Sequence, residues 1–65
     1  MESSFSLRIK KEILEEELKA RVEDLESVKK LLIRASGAEK NNRQREIDDL
    51  IEDIDRIEKQ LDELN

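Results

Sequence analysis

In the second half of the chain, Ile47, Leu50, Ile54, Ile57, Leu61 and Leu64 follow one another in alternating steps of three and four residues. Such steps return side chains to one face of an α-helix, and sustained over nearly three heptads they mark a coiled-coil seam. With Ile47, Ile54 and Leu61 at the a positions and Leu50, Ile57 and Leu64 at d, Ile or Leu fills the seam throughout, and Ile51 widens it at e. The first half repeats less perfectly. Leu18, Leu25 and Leu32 take a; Leu7, Leu14, Val28 and Ala35 take d; Lys11 at a and Arg21 at d interrupt.

Continued forward, the first register puts a at Glu39 and Glu46, one residue short of Ile47, so the two phases belong to two helices. A stop signal stands between them. Gly37 is the only glycine in a chain without proline, and glycine reaches the left-handed conformation cheaply. Lys29, Lys30 and Arg34 complement the dipole of the helix that ends there. Asn41 or Asn42, with Gln44 following, supplies a restart, and Ser36 with Glu39 offers an earlier one by the same logic. The pattern predicts a single all-α unit: a helix over about 4–35, a loop over about 36–41 and a helix over about 42–64, folded as a two-helix antiparallel coiled-coil hairpin. A rod broken near Gly37 and paired in parallel is the competing arrangement.

The predicted intrachain seam is Leu14, Leu18, Leu25, Val28, Leu32, Ile47, Leu50, Ile54, Ile57, Leu61 and Leu64. It leaves apolar residues over. A turn centred near residue 39 sets Leu14 opposite Leu64 and carries residues 1–13 past the end of the second helix, an overhang of about 15 Å if helical. Phe5, Leu7, Ile9 and Ile13 lie on it, and Ile9, Ile13, Ala20 and Leu31 fall on the side away from the seam. Two apolar surfaces on one helix require two neighbours. A chain of 65 residues is also small enough to gain much of its stability from association. Two hairpins are therefore expected to pair into a homodimeric four-helix bundle, with Phe5, Leu7, Ile9, Ile13 and Leu31 as the oligomer or partner interface.

Composition narrows the chemistry. Charged residues make up 48% of the chain and Phe5 is its one aromatic, a mix suited to long amphipathic helices once the apolar residues are periodic. Without cysteine or histidine there is no disulfide, no thiolate or imidazole metal site and no Cys or His nucleophile chemistry. No apolar run matches a membrane span, and MESSFSLRIKK lacks the basic start and apolar core of a secretory signal, so a soluble cytoplasmic chain is expected. The net charge of −5 is distributed in blocks: +2 over residues 1–11, −5 over 12–27, +5 over 28–45 and −7 over 46–65. Folding back sets acidic beside acidic along the shafts, while Lys29, Lys30 and Arg34 approach Glu46, Asp48 and Asp49 nearer the loop. Exposed pairs contribute a few tenths of a kcal/mol each, against roughly 1.5–3 for a buried Leu or Ile, so the apolar repeat decides.

Four motifs remain to be weighed. Glu23-x-x-Glu26 and Glu46-x-x-Asp49 imitate the acid spacing that helical pyrophosphatases use for magnesium, but the register places Glu23, Glu26 and Asp49 away from the seam, and 18 acidic residues produce such spacings by chance. The serines have no histidine to activate them and no glycine-rich phosphate loop exists; Ser3, Ser4 and Ser6 read as N-cap residues. Arg21 reads as a long stem lying along the seam with its guanidinium at a carboxylate. Lys40, Arg43 and Arg45 gather near the tip as possible phosphate contacts, without an aromatic platform for bases. The expected function is a non-catalytic protein–protein interaction module that needs no cofactor or metal. It self-associates and presents a helical surface to an unidentified protein partner, with nucleic acid and membrane disfavoured as partners. Two alternatives are carried: a small acidic regulator, of antitoxin or nucleic-acid-mimic type, that blocks a basic nucleic-acid-binding protein, and weak phosphate-backbone binding through the tip.

Overall fold

The computed structural model describes residues 4–64. Two helices, α1 (Ser4–Arg34) and α2 (Ala38–Leu64), are joined by three residues and pack against each other along their length. They run antiparallel: Arg21 meets Asp53, and Leu14 lies in one groove with Leu64. The predicted hairpin is the observed one.

Its turn is tighter than the capping signals suggested. α1 closes with Ala35 N–H donating to the Leu32 carbonyl at 3.1 Å, Gly37 adopts φ +62°, and Lys40 N–H donates to the Gly37 carbonyl at 3.2 Å. Asn41 and Asn42 lie inside α2 instead of capping it, and α2 begins at Ala38, nearer the earlier candidate start, with Gly37 and not Ser36 immediately before it. The extra turn is built from Ala38, Glu39 and Lys40, all strong helix formers, and Glu39 faces the positive end of the helix dipole. Arg43 reaches back to Glu39 at 3.9 Å and so ties that turn to the next.

A shorter loop moves the centre of pairing from residue 39 to about 37. Lys10, Ile13 and Leu14 then share a groove with Gln60, Glu63 and Leu64, so residues 10–13, expected to overhang, lie alongside α2, and among the described residues the overhang is Ser4–Ile9, about 9 Å of helix. The N-cap reading of Ser3 lies outside the described residues. Ser4 and Ser6 are within α1.

The core is thin. Among the described residues, Ile47 (6% exposed) and Ile57 (8%) are the buried side chains, and α1 contributes none. The rest of the seam, Leu14, Leu18, Leu25, Val28 and Leu32 on α1, Ala35 just after it, and Leu50, Ile54, Leu61 and Leu64 on α2, is half-buried. Two cylinders touching along one line leave each seam residue partly open on its flanks, whatever its sequence. The dimensions agree, at 52 × 14 × 12 Å with a radius of gyration of 15.4 Å against about 11 Å for a compact chain of this length.

Candidate interaction surface

Arg21 occupies its d position as a snorkelling residue does. Its Nε lies 3.9 Å from Asp53 Oδ2 on α2, with both side chains 44% exposed, and Asp53 also takes Arg56 at 3.7 Å. The pair joins the two helices, yet at that exposure it contributes little to stability. Charge matching near the loop takes a different form from the one expected: Lys29 turns to Glu26 of its own helix at 3.7 Å. Among the described residues, no ion pair links Lys29, Lys30 or Arg34 to Glu46, Asp48 or Asp49. Their long side chains keep more freedom in water than across the groove.

The basic tip divides in two. Arg43 is the most sequestered, with its stem against the seam at 30% side-chain exposure and its guanidinium held by Glu46 (Nη1–Oε1 2.9 Å) and Glu39. Its Nε is buried without a hydrogen-bond partner. Lys40 and Arg45 stand exposed. Of the three proposed phosphate contacts, Arg43 is thus already committed to carboxylates of its own helix.

Shallow grooves follow one side of the helix pair. One, about 360 Å³, lies at the open end beside Ile13, Leu14 and Leu64. A second is lined by Glu17, Arg21, Asp53, Arg56, Ile57 and Gln60, and a third by Asp24, Ser27, Val28, Glu46, Asp49 and Leu50. Their walls are acidic above an apolar floor. Although Asp24, Glu46 and Asp49 come near one another, no group of three or more Asp or Glu among the described residues is arranged to hold a metal ion. None of the described helices is long and apolar enough to cross a membrane.

Phe5 (69% exposed), Leu7, Ile9, Ile13 and Leu31, the predicted interface set, are all exposed. Phe5, Ile9 and Ile13 follow each other at four-residue steps along α1, off the seam positions, with Ile13 at the edge of the groove that Leu14 and Leu64 share. Leu7 instead continues the seam face beyond the reach of Leu64. Three further apolar residues stand open that the interface reading did not include: Val22, Ile51 and, next to the loop, Ile33 at 84%. Val22 and Ile51 occupy e positions of the two helices, which adjoin on one flank of an antiparallel pair. The register therefore held the signal for them.

No curated protein and no solved structure matches the chain. One family model does, that of Effector-associated domain 9, over residues 4–64. The match spans the whole hairpin, from the first turn of α1 to the last of α2. The chain belongs to the Effector-associated domain 9 family, and the hairpin is a module associated with effector proteins.

Proposed function

We propose that this hairpin is a non-catalytic docking module that self-associates, and that an effector protein is brought to its site of action through the helical surface presented here. The observation that carries the reading is the row of exposed apolar side chains on α1, Phe5, Leu7, Ile9 and Ile13, on a molecule with two buried residues among those described. Surface area supports it. The accessible surface of 5362 Å² exceeds the roughly 4300 Å² of a compact 7.7 kDa monomer by about 1000 Å², comparable to the ~800 Å² each partner buries in a standard interface. The family description fits a module whose work is association. In this reading two hairpins form a four-helix homodimer, leucine and isoleucine burial gives affinity and the charge blocks give orientation.

The test is the mass of the isolated chain in solution. Light scattering should report about twice 7.7 kDa for the wild type, and the monomer mass for Phe5→Ser/Ile9→Ser/Ile13→Ser with helicity retained by the intact seam. A wild-type chain that remains a helical monomer at high concentration overturns the reading.

A further inference from the structure

The three grooves between the helices are lined entirely from c, d and g positions of the two heptads, so they lie on one flank of the pair, where the g positions of antiparallel helices adjoin. Their walls differ. The groove nearest the loop, about 400 Å³, has half-buried Val28 and Leu50 as its floor and Asp24, Glu46 and Asp49 as its walls, with no lysine or arginine lining it. The middle groove adds Glu17 beside Arg21, Asp53 and Arg56, above Ile57. Leu31, 45% exposed, follows Ser27 by four residues and Asp24 by seven, and so continues this side of α1 with an apolar group.

The carboxylates divide by what holds them. Asp53 takes Arg21 and Arg56, and Glu46 takes Arg43. Among the described residues, Glu17, Asp24 and Asp49 enter no ion pair within 4.0 Å. On the other flank, around Val22 and Ile51, Glu26, Asp48 and Asp55 are held by Lys29, Gln44 and Lys59. Open apolar floor and unneutralised acid therefore coincide on the groove side. We infer that the two inner grooves are the docking site for one basic amphipathic helix of a partner protein, which lies along the pair as a third helix. Its apolar stripe covers Val28, Leu50 and Leu31. Glu17 and Asp24 stand about 10 Å apart on one wall, two turns of helix, so lysine or arginine at i and i+7 along one edge of the partner meets both. A cation on its other edge meets Asp49. Apolar burial supplies affinity, and the carboxylates select a basic helix over an acidic one. A second copy laid groove to groove sets Asp24, Glu46 and Asp49 against the same three carboxylates, which opposes pairing. Asp24 lies about 22 Å along α1 from Ile9, so the site does not rest on self-association, and a monomeric hairpin presents the same grooves.

The test uses a fluorescently labelled helical peptide with leucine at i, i+3, i+7 and i+10 and lysine along both edges, and a companion with glutamate in place of each lysine. Anisotropy should report saturable binding of the lysine peptide alone, with amide shifts centred on Asp24, Val28, Asp49 and Leu50. Asp24→Asn/Asp49→Asn should weaken binding about tenfold. Asp48→Asn/Asp62→Asn removes the same charge from the other flank and should change it less than about twofold. All four residues are exposed, and circular dichroism should show an unchanged fold in both variants. Equal losses in the two variants would reduce the effect to net charge and overturn the site. Equal binding of the glutamate peptide, or no saturable binding, would do the same. Should the lysine peptide dissociate a wild-type dimer in sedimentation, the groove is a surface between copies and the assignment to a partner helix fails.

Discussion

At the scale of single residues, Arg21 and Gly37 depart most from the ideal hairpin. Arg21 interrupts the seam with a half-exposed side chain whose partner, Asp53, is equally open to water. Replacing it with leucine removes an ion pair worth well under 1 kcal/mol and adds apolar contact worth about 1–2 kcal/mol at partial burial. Arg21→Leu should therefore raise the melting temperature by about 4–8 °C, read by circular dichroism, with the mass in solution unchanged. A change of oligomeric state would instead give Arg21 a role in selecting the assembly. Gly37 works through its backbone alone. A Cβ placed there meets nothing within 4 Å, so only the φ of +62° opposes it. Gly37→Ala should cost about 1–2 kcal/mol, and Gly37→Asn less, measured by urea unfolding. A neutral Gly37→Ala would mean that the turn relaxes freely.

The helices show where sequence reasoning reaches and where it stops. The rhythm Ile47–Leu50–Ile54–Ile57–Leu61–Leu64 is long and unbroken, and each of these residues sits on the seam as its period requires. The one-residue phase slip between the halves correctly demanded a break at Gly37. The start of α2 was harder, because two capping signals stood six residues apart and differ by less than the helix gained in between. Asn41 and Asn42 are good caps, but three helix formers and the Arg43–Glu39 contact extend α2 past them. From that local choice followed the overestimate of the overhang, since each residue removed from a loop shifts the opposite helix along its partner. The basic neighbours of Arg43 in sequence make it a possible phosphate contact, whereas its guanidinium is held by Glu46 and Glu39. Its d position, four residues before Ile47, is what folds its stem onto the seam.

For the whole molecule, the ratio of core to surface governs. A rod 52 Å long and 12–14 Å across buries, among the described residues, two side chains and exposes eight large apolar ones, among them Phe5, Ile9, Ile13 and Ile33. Such a chain gains stability when a second surface covers the first, and the gain then depends on concentration. The measurement that tests this most directly is thermal unfolding followed by circular dichroism over a wide range of protein concentration. Association through α1 predicts a melting temperature that climbs steadily with concentration in the wild type and stays flat and lower in Phe5→Ser/Ile9→Ser/Ile13→Ser. Identical, concentration-independent transitions in the two proteins would contradict it.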